Sequence, residues 1–258
     1  MPLSQRQEHL ARSGRVQRTR GADATPLACV DGRRYNPVVV CSFEFFVFEN
    51  CMKIVVYPHP ALRHPTKPLS AIDKQVHLDA GRMLELMYEH KGLGLAANQV
   101  FLPYRIVVLN PSGDPQQRDK EEVLLNPVVL ERKGMIEGEE GCLSFPGLFQ
   151  KIRRAKTVRV QAYNLRGERI EKSVSDLEAR LWQHEVDHLD GILFIDKMGA
   201  IARLASRNAL REFEQEFQRA QEKGEIPPTA ELERILKERD EAMDKDGSLP
   251  LSNYVPPI

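Results

Sequence analysis

The spacing of apolar residues predicts two amphipathic helices in the central part of the chain. Between residues 73 and 90 apolar side chains recur three or four positions apart, and Gly92 ends the pattern. The second helix begins near Ser175 or Asp176, either of which can cap it, and ends at Gly191. The apolar positions are Val76, Ala80, Met83, Leu84 and Met87 in the first helix and Leu177, Leu181, Trp182, Val186 and Leu189 in the second.

Between these helices the chain shows patterns typical of strands. Residues 105–109 and 123–130 are rich in aliphatic side chains, and a polar loop with Gly and Pro separates them. Residues 157–163 and 168–174 flank a short turn-like segment, which indicates a hairpin. Because the second helix needs apolar cover on several sides, we expect antiparallel or mixed strands wrapped around it. The order of elements predicts an α+β fold rather than a doubly wound sheet.

Beyond Met198 the sequence changes to charged helix-forming residues. They predict one helix from about 201 to 223 and, after two prolines, a mostly solvated helix from 230 to 245. An apolar stripe on the first of these helices consists of Leu204, Leu210, Phe213 and Phe217. We expect a tail that folds back or is partly disordered. The second interpretation is a helix that docks on a large partner.

The first residues differ in composition from the rest of the chain. Residues 1–37 contain seven arginines, no lysine and three acidic residues, and a cleaner pattern starts at Met52. This bias is shared by organellar transit peptides and by sequence translated upstream of a true start. We therefore expect a disordered or spurious leader over 1–51, a catalytic domain over 52–198 and a charged helical extension over 199–258.

Composition excludes several classes of protein. Lys+Arg and Asp+Glu both total 37, so the overall charge predicts neither a nucleic acid nor an acidic membrane as partner. No apolar run reaches the roughly 20 residues that span a bilayer. The four cysteines are Cys29, Cys41, Cys51 and Cys142, and they form no CxxC pair. They argue against a zinc ribbon or a disulfide framework and favour reduced cytoplasm, or an organelle if the leader is a transit peptide.

The motif HExxH lies on the second predicted helix. His184 and His188 are four residues apart, so both imidazoles face the same side and can bind one metal ion, with Glu185 beside it. A catalytic site usually has three protein ligands and one open position. After His188 only Asp190 and Asp196 can coordinate, whereas upstream Cys142 offers a thiolate in the run EGCLS. Cys142 with the two histidines is therefore the best available ligand set.

A third motif, Gly-Leu-Gly-Leu-Ala-Ala-Asn-Gln at 92–99, resembles the dinucleotide fingerprint GxGxxA. Its context excludes that function, because a helix precedes the glycines and a strand follows them, the reverse of the required order. The small residues instead allow another backbone to approach closely. The side-chain amide of Gln99 can point into a site as a hydrogen-bond donor.

These three motifs, in the order in which they occur along the chain, resemble those of bacterial-type peptide deformylases, which remove the formyl group from the N-terminal methionine of new polypeptides. The resemblance covers about residues 53–198 and begins with the run YPHPALR at 57–63. It implies that Cys142, His184 and His188 bind the metal and that Glu185 is the general acid and base. It also implies that the Gln99 amide and the Leu143 backbone N–H stabilise the oxyanion. Family members typically use Fe²⁺ and accept Zn²⁺, Ni²⁺ or Co²⁺, among which ligand identity alone does not choose.

The resemblance also implies where the substrate, a formyl-methionyl nascent peptide, binds. We expect it to lie as an added strand beside Gly94, with an apolar pocket for the methionine side chain. The positions assigned to substrate binding are Gly94, Glu140, Gly141, Arg180 and Leu181. Arg154 matches an arginine near the peptide cleft, although we expect a solvated basic patch there. Asp187 is either a carboxylate that orients a histidine or a surface acid.

Two other functions remain open at this point. A metallopeptidase can use the same helix and Glu185, but it lacks an obvious histidine or glutamate ligand after His188. A zinc-stapled binding module needs a fourth residue that closes the coordination sphere around Cys142, His184 and His188. The catalytic domain offers no pattern for direct nucleic-acid recognition.

Overall fold

The computed structural model describes residues 52–245, so the predicted leader and the last thirteen residues lie outside the described part of the chain. Within it the chain forms seven strands: β1 Gly94–Ala96, β2 Ile106–Leu109, β3 Glu122–Lys133, β4 Ile136–Cys142, β5 Phe145–Arg154, β6 Thr157–Tyr163 and β7 Arg169–Ser175. The same part contains five α-helices: α1 Lys74–Glu89, α2 Asp176–Leu189, α3 Ala200–Ala205, α4 Arg207–Glu222 and α5 Thr229–Lys245. Short 3₁₀ turns include Pro60–Arg63, Ala97–Val100 and Phe194–Lys197.

The strands form two antiparallel sheets. The larger sheet has the order β1-β2-β3-β6-β7, and β4 pairs with β5 in a separate ribbon. The predicted hairpin of β6 and β7 is confirmed, with Thr157 opposite Ser175 and Tyr163 opposite Arg169. Helices and antiparallel sheets together confirm the predicted α+β class.

Helix α1 follows from its sequence in the expected way. The Asp73 side chain caps it by accepting a hydrogen bond of 2.9 Å from the Val76 backbone N–H. Its buried side chains lie three or four residues apart and pack into the main core with strands β1 and β2. The predicted amphipathic helix is therefore confirmed, and it covers the sheet on one side.

Helix α2 is the central element of the fold. Every residue from Ala179 to Leu189 is buried, and the helix contacts β1, β2, β3, β6 and β7. Trp182 is among the largest fully buried side chains. The expectation of strands around this helix is confirmed. Because both histidines of the motif lie in its buried part, their chemistry takes place inside the fold.

The C-terminal region folds back on the molecule. Ser206, which is buried, separates α3 from α4 where the sequence predicts a single helix. Leu210 and Phe213 pack against the second apolar cluster, which contains Phe145 and Phe194, whereas Leu204 stays 71% exposed. Most of the predicted apolar stripe is thus used within the molecule. No helix within residues 52–245 is long and apolar enough to cross a membrane.

Helix α5 differs from the prediction of a mostly solvated helix. Leu232 and Leu236 are each only 3% exposed, and the helix contacts the 3₁₀ turn Pro60–Arg63. Glu233, Lys237 and Glu238 of the same helix are exposed. The overall composition of this helix is that of a solvated segment. Its two leucines lie four residues apart on one narrow face, and burial of that face alone is enough to attach the helix.

Candidate metal centre

Three side chains with metal-binding atoms converge at the centre of the fold. One potential ligand atom from each of Cys142, His184 and His188 lies within 4.8 Å of those of the other two. Cys142 Sγ is 3.2 Å from His188 Nε2. Cys142 ends β4, and the two histidines lie on successive turns of α2. The structure thus brings together the three residues that the sequence proposes as metal ligands.

Local backbone irregularity aims the cysteine at the helix. The β4–β5 ribbon has a register shift between Glu140 and Cys142, and Cys142 then pairs with Phe145 across a tight turn. Such a bulge bends a strand and redirects its side chains. The Phe145 ring is buried in the second apolar cluster, which anchors this turn beside α2.

The two histidines have opposite electrostatic environments. Burial lowers the pKa of His184, but hydrogen bonds to Cys142 and Glu140 outweigh it and raise the pKa to about 10. For His188, burial and then the neighbouring His184 cation hold the pKa well below its usual value. His184 Nδ1 lies 3.2 Å from Glu140 Oε2, which leaves Nε2 to face Cys142. A carboxylate on the outer ring nitrogen is typical of metal-binding histidines.

The donor set fits a divalent transition metal. Thiolate and imidazole both bind such ions, and three protein ligands leave the fourth position of a catalytic site open. Cys142 is partly buried beside the buried histidines, so a thiolate there is costly without a partner that neutralises its charge. Within residues 52–245, the buried Oε2 of Glu185, the neighbour of His184, has no hydrogen-bond partner. A polar atom left in this state indicates that the centre is built for a further occupant.

Glu185 lies beside this cluster in a tight enclosure. It is 3% exposed, and burial raises the pKa of its carboxyl to about 7 despite the nearby cations. A Cβ atom on Gly94 would lie 2.5 Å from Glu185 Oε1, so any larger residue at that position of β1 would displace the Glu185 carboxyl. A carboxyl with a pKa near 7 can both accept and release a proton at neutral pH.

The Gln99 side chain is held in a defined direction. Its Oε1 accepts a 2.9 Å hydrogen bond from the Ala96 backbone N–H, and its Nε2 lies 3.1 Å from Ser144 Oγ. The same nitrogen is 3.4 Å from Cys142 Sγ. Leu143 directly follows the cysteine in the same turn. The structure thus places Gln99 and Leu143 beside the potential ligands, as the resemblance implies.

A buried ion network surrounds the outer face of His184. Glu140 accepts hydrogen bonds of 2.8 and 2.9 Å from Arg154 and of 2.8 Å from Arg180. Burial raises the pKa of the Glu140 carboxyl, but hydrogen bonds from His184 and Arg154 outweigh it and lower the pKa to about 2. Arg154 also pairs with Asp187, which lies 3.2 Å from Lys197 Nζ. The network holds the carboxylate that orients His184.

Two expectations about this region were wrong. Arg154 is 3% exposed and belongs to the ion network, not to a solvated basic patch. Asp187 is also buried and pairs with Arg154, so it is not a surface acid. The carboxylate that contacts a histidine is Glu140 instead. Sequence reasoning missed this contact because residues 140 and 184 are distant along the chain.

The remaining predicted positions lie close to the centre. The Arg180 guanidinium donates to the Gly138 and Ile152 carbonyls as well as to Glu140. Leu181 is 9% exposed. A Cβ on Gly141 would lie 2.4 Å from the Phe149 ring, so the aromatic side chain covers this glycine. Asn98, which sequence reasoning passed over, donates to the His188 carbonyl and ties the turn 97–100 to α2.

The two aspartates after the motif do not join the cluster. Asp190 pairs with Arg105 at 2.7 Å, and Asp196 pairs with Arg63. Within the described residues, the only group of three or more potential ligands is Cys142, His184 and His188. Among the described residues, the cluster therefore has neither the third ligand after His188 that a metallopeptidase would use nor the fourth ligand that would close a structural zinc site.

Arg154 is expected to be essential for stability. We predict that Arg154→Ala lowers the free energy of unfolding by about 3 kcal/mol, because Glu140 and Asp187 then share a buried site without their common cation. Urea unfolding measures this difference. Arg153→Ala is the matched control, since its neighbouring side chain is exposed and its loss is expected to change stability by less than about 0.5 kcal/mol. Equal stability of both variants would contradict the proposed importance of the network.

Comparison with known proteins agrees with this geometry. Residues 51–203 match the family model described as polypeptide deformylase. The chain is 43% identical over 183 residues to a peptide deformylase of Rhodopirellula baltica, covering 70% of this chain and 90% of the relative. It is 37% identical over 193 residues to the chloroplastic and mitochondrial peptide deformylase 1B of Arabidopsis thaliana, covering 74% and 69%.

Solved structures lead to the same family. A crystal structure of a variant of Arabidopsis thaliana peptide deformylase 1B superposes with a TM-score of 0.64 at 37% identity, covering 68% of this chain and 94% of that one. Peptide deformylase from Plasmodium falciparum gives 0.63 at 35% identity, covering 64% and 97%. The chain therefore belongs to the polypeptide deformylase family, the metal-dependent hydrolases that remove the N-terminal formyl group from nascent peptides.

Proposed function

We propose that Glu185, Gln99 and the Leu143 backbone N–H carry out deformylation of a formyl-methionyl peptide at a metal ion held by Cys142, His184 and His188. The convergence of one thiol and two imidazoles beside a buried carboxyl supports this proposal most strongly. When bound, the ion supplies a Lewis acid that acidifies a water molecule and polarises the formyl oxygen.

Glu185 is the proton carrier in this mechanism. Its carboxylate accepts a proton from the attacking water and later delivers a proton to the amine nitrogen of the methionyl residue. The C–N bond of the formamide breaks, and formate and a free α-amine result. Burial holds the pKa of this carboxyl near 7, so both protonation states are accessible at neutral pH.

Gln99 and Leu143 stabilise the charge that develops on the formyl oxygen. Both groups are already fixed, since Gln99 Oε1 is held by the Ala96 N–H and Leu143 lies in the tight turn between β4 and β5. A donor that needs no rearrangement lowers the barrier by about 3 to 4 kcal/mol.

The nascent peptide binds along β1. This strand ends the order of the larger sheet and pairs on one side with β2. A peptide can add to such an edge through main-chain hydrogen bonds, which give affinity without a demand for sequence. Gly94 places the formyl end next to Glu185. Gly141, Leu181 and the stems of Glu140 and Arg180 contribute to the methionine pocket.

We also propose Fe²⁺ as the resident ion, with Zn²⁺, Ni²⁺ and Co²⁺ as substitutes, because thiolate and imidazole donors accept all four. The test is formate release from formyl-Met-Ala-Ser by protein reconstituted anaerobically with iron or with zinc. Unformylated Met-Ala-Ser and an N-acetylated peptide with intact internal bonds serve as controls. Formate release from the first peptide without cleavage of the others supports the proposal, whereas internal cleavage supports a metallopeptidase.

For the ends of the chain we propose a catalytic domain over 52–198, a leader over 1–51 and an extension over 199–258. The cytoplasm is the proposed location, or an organelle if the leader is a transit peptide. The exposed side chains of Ile201 and Leu204 on α3 are 87% and 71% accessible and offer a transient contact with the ribosome. Ribosome co-sedimentation that is unchanged in an Ile201→Ser/Leu204→Ser variant would count against that contact.

A further inference from the structure

Arg239 on α5 packs directly on the residue that ends the turn carrying Gln99. Its guanidinium lies 4.4 Å from the centre of the Phe101 ring, and its Nη1 donates to the Phe101 carbonyl. Burial lowers the pKa of this guanidinium, yet an arginine stays charged in proteins. The helix lies beyond residue 203, where the family match ends. A residue outside the matched region therefore contacts a segment of the active site.

Phe101 has an unusual backbone conformation that needs support. Its φ of 63° lies in the left-handed region, which residues with a Cβ seldom adopt. Its N–H bonds back to the carbonyls of Ala97 and Asn98 and thereby closes the turn. The His59 ring packs edge-on against the Phe101 side chain at 5.1 Å. Such a conformation persists only where the surroundings hold it, and Arg239 supplies a carbonyl contact and a ring contact together.

Helix α5 is itself firmly attached. Leu232 and Leu236 are buried, and Asp240 Oδ2 lies 2.9 Å from His64 Nε2. Lys67 Nζ donates to the Asp240 carbonyl at 3.2 Å. Arg239 thus extends from a helix that is fixed on both sides of it, so its guanidinium has a defined position relative to Phe101.

The turn links this helix to the metal centre. Asn98 donates to the backbone carbonyl of His188, and Gln99 Nε2 lies next to Cys142 and Ser144. Phe101 follows Gln99 by two residues. A shift of the turn end would therefore change the direction of the Gln99 amide before it changed the ligands on α2 and β4.

We propose that Arg239 is a positioning residue for deformylation, which holds the turn 97–101 through Phe101 and so fixes the Gln99 amide toward the formyl oxygen. The inference rests on the proposed role of Gln99 as an oxyanion donor. The C-terminal extension is then part of the catalytic framework.

Steady-state kinetics of the full chain test this proposal. Arg239→Ala is expected to lower kcat about tenfold, less than the 10²-fold that a misplacement of about 1 Å can cost. KM is expected to stay within about twofold of wild type, since ground-state binding along β1 is unaffected. Arg239→Lys restores part of the loss, because an ammonium still reaches the Phe101 carbonyl but lacks the planar stacking. Lys237→Ala removes an exposed cation from the same helix and serves as the matched control.

A double-mutant cycle with Gln99→Ala separates the possible outcomes. If Arg239 acts through Gln99, Arg239→Ala lowers kcat in wild type but not in the Gln99→Ala background. Two independent losses that multiply would overturn the inference. A Gln99→Ala variant with full kcat would remove the proposed donor role itself, whereas a slow Gln99→Ala variant beside an unaffected Arg239→Ala variant would overturn only the positioning role.

Amide hydrogen exchange supplies a readout that does not depend on turnover. Exchange in residues 97–102 is expected to be faster in Arg239→Ala than in Lys237→Ala, while α2 keeps its protection. Thermal melting checks that the variants are folded, and Arg239→Lys replaces the alanine variant if that one unfolds. Unchanged exchange of the turn in folded Arg239 variants would contradict the inference.

Discussion

Glu185→Gln is expected to lower kcat for formyl-Met-Ala-Ser by about 10²- to 10⁴-fold, the contribution of a positioned general acid and base. The amide has nearly the same shape as the carboxylate but cannot accept the water proton. Because none of the three proposed ligands changes, bound metal is expected to stay at the wild-type level. Formate release and metal analysis on the same preparation measure both quantities.

The melting temperature of the Glu185→Gln variant gives a second, independent test of this prediction. Glu185 is buried, its pKa is raised to about 7 by burial, and its Oε2 has no partner within the described residues. A neutral side chain of equal size avoids the cost of burying a charge there. Glu185→Gln is therefore expected to melt at the same or a higher temperature than wild type while it loses activity. A variant that loses activity only because it unfolds would show the opposite change.

Glu178→Gln is the matched control for this experiment. It makes the same chemical change on the same helix, two turns earlier, where Glu178 pairs with Lys172 at the partly exposed surface. Exposed ion pairs contribute little to stability, so both kcat and melting temperature are expected to stay near wild type. Full activity of Glu185→Gln with its metal bound would exclude Glu185 as the proton carrier.

The parts of the site that could be predicted from sequence follow from local geometry. Residues four apart on a helix share a face, so helix formation alone places His184 and His188 side by side. The buried face of α1 follows from its apolar spacing in the same way. Cys142 is different, because its approach to α2 depends on a ribbon folded between them. The sequence pointed to it only through the lack of better ligands after His188 and through the order of the three motifs.

The parts that could not be predicted depend on contacts distant in sequence. Arg154 has an arginine next to it and looks like a solvated residue, yet its partners Glu140 and Asp187 come from β4 and α2. Whether a charged side chain is buried depends on such partners, which no local pattern reveals. Helix α5 shows the same limit, since Leu232 and Leu236 are buried and the helix contacts a 3₁₀ turn far earlier in the chain.

Cys142→Ala is expected to lose both metal and turnover, unlike Glu185→Gln. Substituting even the partner of a metal ligand costs about 10- to 100-fold in affinity, so removal of a ligand itself is expected to cost at least the upper end of that range. Glu139→Ala, an exposed change three residues earlier on β4, is the matched control and should keep both properties. Metal content after gel filtration, measured together with formate release, tests the assignment. Normal metal content and turnover in folded Cys142→Ala would show that the thiol is not a ligand, because two imidazoles and an enclosed carboxyl would then suffice to hold the ion.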